Sequence, residues 1–330
     1  MTTTAAWGVR DVTVRRGGHV VLDAVTLPVP AGEITAVVGG DGAGKTTLAR
    51  LLVGREVADT GQVRRAHTRR TGFLPATSGV WADLSVAENV DLVVGAYRLD
   101  AATARDRADR LLGAAGLADV PHRLGRELSG GMRQKLGCCL AMLPAPDLLV
   151  LDEPSTGVDP VSRVDLWRML SAAAAGGTAV LVTTTYLDEA ERAATVLVLD
   201  AGSEVYRGDA AEAASRVRGS IAVRAVGADT RLGGSAAAPG AAEAVPVAQW
   251  RRGGAMHVLV APGEGEAPAD LEDAVIALTL ERRGAAAPPP APAAAHPARR
   301  VGTRHVERVS ADYSLDTSDT RSAQVHDRAG

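Results

Sequence analysis

The chain holds 330 residues, enough for one large domain or two modest ones, and its 46% hydrophobic and 23% charged residues are ordinary for a globular protein. Aromatic residues make up only 3%, so the core must rest on Ala, Val and Leu, which disfavours an aromatic sugar site or a base-stacking platform. A net charge of −3 provides no basic field for a phosphate backbone, which argues against nucleic acid as the main partner.

Two of the 36 basic residues are lysines, Lys45 and Lys135, a bias that with abundant Ala and Gly points to a GC-rich coding background. The two cysteines, Cys138 and Cys139, are adjacent, so a disulfide framework or a Cys-rich metal site is implausible and a cytosolic setting is expected. No apolar run reaches the roughly 18 residues of a membrane span. The N-terminal MTTTAAWGVR has no basic flank leading into an apolar stretch, so no secretory signal is expected and any membrane role must come through a partner.

In chain order, residues 7 to about 214 alternate Val/Leu-rich runs (Glu33–Val38, Asp147–Leu151, Thr178–Thr183, Thr195–Leu199) with helical patterns, the signature of an α/β fold with a buried sheet. The first of these strands runs into Gly39-Gly40-Asp41-Gly42-Ala43-Gly44-Lys45-Thr46-Thr47 and then an apolar helix, which is the P-loop pattern G-x-x-x-x-G-K-[ST] in its strand-to-helix setting. The glycines let successive backbone N–H groups turn toward one anion, and the helix adds its positive end. Lys45 is expected on the β- and γ-phosphates, Thr46 on Mg²⁺, and Gly44 and Thr47 on phosphate oxygens. The plainer alternative is a Gly-rich turn with an incidental lysine.

Helical text follows from Val86 to Leu128, with charge patterning at Ala104–Leu112 that suggests a solvated face. Leu128-Ser129-Gly130-Gly131 then opens another helix, offering a hydroxyl and unobstructed N–H groups as a second anion-binding terminus, or else an ordinary cap. If the two phosphate-binding surfaces lie on separate subdomains, a head-to-tail dimer is the natural way to use both. Downstream, DLLVLDEP is an apolar strand ending in Asp152-Glu153. Carboxylates at the end of a buried strand are costly unless a cation or water occupies the site, so Asp152 is expected to serve Mg²⁺ and Glu153 to act as general base. The alternative is that the pair caps the next helix.

A second unit is expected over 219–283, with strands in SIAVRAV and AMHVLV and the amphipathic segment LEDAVIALTLERR. From Gly284 the text turns Ala/Pro-rich and then polar without periodicity, and 284–330 is expected to be disordered. Cys138 and Cys139 are expected to be buried small hydrophobes, and the scattered histidines, His257 among them, show no zinc spacing.

The P-loop, LSGG, VLDEP, Ser155-Thr156-Gly157-Val158-Asp159-Pro160 and TTYLDEAE occur in one order that resembles the ATP-binding cassette of ABC transporters, over residues 7 to about 214. YLDEAE and the small C-terminal unit resemble further the drug-exporter type that serves an ABC-2 permease, in particular the first cassette of tandem-cassette exporters. The resemblance implies a P-loop NTPase core sheet of RecA type, an antiparallel β-subdomain, a helical subdomain over about 77–138, and a small α+β domain followed by the tail. It implies ATP and Mg²⁺ as cofactors, a second cassette, either a different chain or a second copy of this one, and an integral ABC-2-type permease as partners, and a place on the inner face of the cell membrane. Asp159 joins the nucleotide-binding residues by the same resemblance, and the region from Trp81 to Asn89 is where a permease helix docks in the family, with Trp81 and Leu84 as exposed candidates or, alternatively, as ordinary core packing.

The departures from the family pattern are specific. After Pro75 the family usually has Gln, which meets Mg²⁺ and the lytic water; here it is Ala76. The family's switch histidine, which touches the γ-phosphate, falls at Thr185. Arg16 stands where an aromatic commonly stacks on adenine, a task a planar guanidinium can share. The stretch from Gly54 to Phe73 is short, so the β-subdomain is expected to be trimmed. These changes imply an ATP-binding subunit that hydrolyses weakly by itself and works in an asymmetric pair. The competing readings are a largely non-hydrolysing regulatory cassette, and a soluble ABC protein acting on ribosomes or DNA, which would carry a second cassette, a coiled coil or a zinc insertion.

Overall fold

Strands that are apolar at every position must be covered on both faces, and the Val/Leu runs form such a sheet. The computed structural model of the protein describes residues 7–225, 248–260 and 270–286. The chain begins with strands β1 (Trp7–Arg16), β2 (His19–Val29) and β3 (Ile34–Val38), helix α1 (Lys45–Leu52), and strands β4 (Thr60–Arg64) and β5 (Thr71–Leu74). Three helices follow, α2 (Val86–Tyr97), α3 (Ala101–Ala114) and α4 (Gly130–Met142). Next come β6 (Leu148–Asp152), α5 (Pro160–Ala175), β7 (Ala179–Thr184), α6 (Leu187–Ala190), β8 (Thr195–Asp200) and β9 (Ser203–Gly208). Last are β10 (Ser220–Ala225), β11 (Ala248–Arg252), β12 (Ala255–Val260) and α7 (Leu271–Ala286).

The first nine strands make one sheet in the order β4-β1-β2-β9-β8-β3-β7-β6-β5. From β8 to β5 the neighbours are parallel, while β1 pairs antiparallel with β2 and β4 to form a short subdomain at one edge. Period-two alternation divides the core. Leu149 and Leu151 of β6 join Leu136 of α4 and Leu166 and Leu170 of α5 on one side. Leu148 and Val150 join Leu48, Leu51 and Leu52 of α1 on the other. This two-sided burial fixes the carboxyl ends of β3, β6 and β7 side by side, where ligands of open parallel sheets bind.

The continuous helical text over 86–128 resolves into two helices and an irregular stretch. A reciprocal cap starts α2, with Ser85 Oγ accepting from Glu88 N at 3.2 Å and Ser85 N donating to Glu88 Oε2 at 2.7 Å. After α3 the chain turns at Gly116 in the left-handed region (φ +67), and only the short 3₁₀ turn Gly125–Glu127 precedes Ser129. Ahead of α2, buried Asn89 accepts from Trp81 N and donates to the carbonyls of Trp81, Leu84 and Ser85 within 3.1 Å. Trp81 is 51% exposed, whereas Leu84 is half-buried and does not present the open apolar surface expected of it.

The C-terminal strands form their own sheet, β10-β12-β11. Helix α7 extends past the expected end at Arg283 to Ala286 and places Leu271 and Ala274 in the core cluster that holds the main sheet. Arg283 donates to both oxygens of Asp200 at 2.7 and 3.0 Å, and this pairing holds the Asp200 carboxyl below the usual carboxylate range. Buried Asp273 accepts from Trp250 Nε1 at 3.2 Å and lies 3.0 Å from His257 Nδ1, tying the small sheet to α7. The rest of the expected tail, from residue 287, lies outside the described residues. No cluster of metal-binding side chains occurs among the described residues, and no helix there is long and apolar enough to cross a membrane.

Candidate functional site

The loop between β3 and α1 can have only glycine at its two ends. Gly39 has φ +157, and a Cβ there would lie 2.3 Å from the Leu199 carbonyl; Gly44 has φ +104, and a Cβ would lie 2.6 Å from Leu22 Cδ2. Asp41, Gly42, Ala43, Gly44, Lys45, Thr46 and Thr47 line a cleft of about 210 Å³ together with Val21 and Glu153. Lys45 is only 5% exposed, and its ammonium donates to the carbonyls of Gly39 and Gly40 at 2.7 and 3.1 Å while standing 3.6 Å from Glu153 Oε1. A buried cation so placed is costly without anionic company, and the cleft supplies it on one side only.

The floor of the cleft is cross-linked by hydroxyls. Thr46 Oγ1 donates to Asp152 Oδ1 at 3.2 Å, and Thr183 Oγ1 donates to the same oxygen at 2.6 Å. Asp152 and Thr183 are register partners on β6 and β7, so the contact follows from strand order alone. Two hard oxygen donors converging beside a phosphate loop suit Mg²⁺, which binds few protein carboxylates and takes its other ligands from water and phosphate.

Glu153 follows in the left-handed region, with φ +51, a conformation that costs about 1–3 kcal/mol for a non-glycine residue. Its backbone is fixed on both sides. Glu153 N donates to Thr183 O at 3.0 Å and to Thr183 Oγ1 at 3.1 Å, and its carbonyl accepts from Gln134 Nε2 at 3.2 Å. Thr156 Oγ1 donates to Glu153 Oε2 at 3.2 Å. The half-buried carboxylate is thereby turned into the cleft beside Lys45. The plainer reading, that Asp152 and Glu153 cap the next helix, fails because Asp159 caps α5, accepting from Val161 N and Ser162 N at 3.1 and 3.0 Å. Those hydrogen bonds, from Ser162 first, hold the Asp159 carboxyl below its ordinary range.

Ser129 is the cap of α4, its Oγ accepting from Met132 N at 3.2 Å, with Gly130 and Gly131 in the first turn. The glycines lie against the Gly157–Asp159 segment, since a Cβ on Gly131 would meet Asp159 Oδ2 at 3.7 Å and one on Gly130 would meet the Gly157 carbonyl at 3.5 Å. Ser129 and its glycines do not line the P-loop cleft. Arg16, expected near an adenine, pairs with Glu56 at the edge of the antiparallel subdomain and also lies outside the cleft lining. Ala76 and Thr185 are both exposed, Ala76 just beyond β5 and Thr185 just beyond β7.

Sequence reasoning missed the support beneath this edge. Glu189 is 1% exposed and its Oε2 accepts from Ser155 Oγ and Thr184 Oγ1, each at 2.8 Å, while Oε1 lies 3.5 Å from Arg163 Nε. Arg163 in turn covers the ring of Tyr186 at 4.6 Å. One buried carboxylate thus ties the turn after Glu153 to the residue preceding Thr185. The signal in the sequence was the DEAE run itself, whose second acid lies on the inner side of the short α6.

The ABC transporter family profile matches residues 22–156. The chain is 38% identical over 191 residues to a probable multidrug ABC transporter ATP-binding protein, YbhF, of Escherichia coli K12, a match covering 55% of this chain and 33% of that one. It is 36% identical over 216 residues to a Nod factor export ATP-binding protein of Cupriavidus metallidurans, covering 62% of this chain and 71% of the relative. The chain belongs to the ABC transporter ATP-binding family. It spans about a third of YbhF and about seven tenths of the Nod factor protein. A solved ATP-binding subunit of an ABC transporter superimposes with a TM-score of 0.60 at 26% identity, over 64% of this chain and 92% of that one. The sheet with its phosphate loop is therefore an ABC cassette.

Proposed function

We propose that this cassette is the energising subunit of an ABC-2-type exporter, binding Mg-ATP and, with a second cassette, driving an integral permease from the inner face of the membrane. The observation that carries the reading is the contrast at one site. The loop, Lys45, Thr46 and Glu153 line the cleft, with Asp152 hydrogen-bonded to Thr46 beside it, whereas positions 76 and 185, where the family resemblance puts a Gln and a His near the γ-phosphate, carry a methyl group and a short hydroxyl.

In this reading the N–H groups of the loop and Lys45 hold the β- and γ-phosphates, and Thr183 keeps Asp152 turned toward Thr46. Mg²⁺ held by Thr46 and Asp152 supplies charge neutralisation on the phosphate oxygens. Glu153 accepts the proton of the water whose oxygen attacks the γ-phosphorus, as ADP leaves with the bridging oxygen. Each preorganised donor missing at the γ-phosphate costs about 10²- to 10³-fold in rate, or about 2.7–4 kcal/mol. Two such losses leave a site that binds nucleotide more effectively than it turns it over.

The losses are one-sided, since Ala76 and Thr185 serve the chain's own nucleotide whereas Ser129-Gly130-Gly131 is intact for a neighbour. This favours an asymmetric pair in which the chain completes a faster site on a different cassette. The test compares Ser129→Arg with Glu153→Gln in the complex reconstituted with its permease and second cassette. Ser129→Arg should abolish most of the ATPase by placing a bulky cation in the partner's site, and Glu153→Gln should leave most of it. Equal loss from both would mean symmetric sites.

A further inference from the structure

A second concavity, of about 580 Å³, opens between β9, the 3₁₀ turn Ala210–Arg216 and α7, outside the nucleotide cleft. Its volume falls in the range of about 300–1,000 Å³ typical of small-molecule sites. Val205 and Leu278, both half-buried, give it an apolar floor. Its rim carries four guanidinium groups, of Arg207, Arg216, Arg218 and Arg282, against two carboxylates, a net charge of +2 in a protein whose overall charge is −3.

The two acids are already engaged. Glu281 Oε1 accepts from the backbone N–H groups of Arg218 and Gly219 at 3.0 and 2.8 Å, and Glu204 Oε1 accepts from Arg207 Nε at 3.1 Å. Arg282 donates to the Glu204 carbonyl. The guanidinium groups of Arg216 and Arg218 have no hydrogen-bonding or ion-pair partner among the described residues, although Glu281 fixes the backbone of Arg218 at the mouth of the cleft. Cations gathered on a concave, partly apolar wall focus the field and attract an anion. A planar guanidinium fork matches phosphate oxygens two at a time, and paired forks favour a dianion over a single carboxylate.

We propose that this cleft is a binding site for a phosphate-bearing ligand, held by Arg216 and Arg218, whose uncharged portion rests on Val205 and Leu278. A ligand there would touch both β9 of the cassette sheet and α7, and so strengthen the docking of the C-terminal unit. The chemistry is shared by a soluble phosphorylated metabolite and by the headgroup of an anionic phospholipid.

The test uses the full chain with Lys45→Ala, so that the nucleotide loop does not report phosphate, with and without Arg216→Ala plus Arg218→Ala. Calorimetry with inorganic pyrophosphate gives the soluble arm, and flotation with phosphatidic acid-containing against phosphatidylcholine vesicles gives the lipid arm. Pyrophosphate binding that falls about tenfold or more in the alanine pair supports a soluble ligand. Vesicle capture lost in the alanine pair, and weakened also in Arg216→Lys plus Arg218→Lys, supports a headgroup. Binding in neither arm, binding unchanged by the alanine pair, or full binding by the lysine pair overturns the proposal. ATP binding by Arg216→Ala plus Arg218→Ala with Lys45 restored shows that the fold is intact, and separates this outcome from failure of the transporter reading.

Discussion

The floor and the rim of the nucleotide cleft are built by different rules. On the floor, Lys45, Asp152 and Thr183 are each at most 5% exposed, Lys45 hydrogen-bonded to the loop carbonyls and Asp152 to Thr183 on the neighbouring strand, so each residue is held by the fold itself. Ala76 and Thr185, which the proposal assigns to the rim, are exposed positions just beyond β5 and β7 and carry only a methyl group and a short hydroxyl. On the proposed reading, binding and turnover separate within one cassette: the groups proposed to grip phosphate are part of the core, and positions 76 and 185 stand on exposed loops.

Rebuilding the rim is the strongest way to break the comparison. Ala76→Gln with Thr185→His should raise ATPase by up to about 10²-fold or more, and by more than either substitution alone, because both groups act on one phosphate and neighbouring catalytic groups do not add. Steady-state turnover in the assembled complex checks this, and no gain from the double variant would mean that the rim is not what limits the site. Dismantling the floor should act on binding instead. Lys45→Ala is expected to weaken ATP about 10- to 100-fold, the loss of charged hydrogen bonds worth about 1.5–3 kcal/mol, as read by nucleotide titration.

Between the two lies Glu189. Glu189→Gln removes the charge facing Arg163 and one acceptor from a buried network, which should cost about 1–3 kcal/mol in denaturant unfolding. It should also lower turnover more than ATP affinity, because it loosens Thr184 beside the rim and leaves Lys45 untouched; equal effects on both would place Glu189 in the floor alone. The smallest effect concerns Cys138 and Cys139. Burial pushes the Cys138 thiol up to about 12 and Cys139 well above its usual value, so neither should react with iodoacetamide near pH 8 until the protein is unfolded. Mass spectrometry of the native chain reads this directly.

Much of the floor was legible in the sequence because its signals are local. A strand, a glycine loop and a lysine stand together in the text, and β3, β6, β7 and β8 lie within a residue or two of the apolar runs that announce them. Thr183 and Glu189 were not legible as partners of Asp152 and Ser155. They are 31 and 34 residues away from them and meet them only because β6 and β7 lie side by side in the sheet. Charge told little about Arg16, whose pairing with Glu56 depends on how the antiparallel edge closes. Composition likewise could not show that 115–128 leaves the helical pattern, or that α7 buries Leu271 and Ala274 in the main core, since apolar residues at helical spacing do not say what they pack against.

The separation of floor from rim is tested most directly by measuring ATP affinity and ATP turnover on the same preparation of the purified chain. The account predicts that Mg-ATP binds and that its affinity falls about 10- to 100-fold with Lys45→Ala, while turnover stays well below the roughly 1–100 per second of ordinary phosphoryl-transfer enzymes. Turnover within that range from the unmodified chain alone would contradict it.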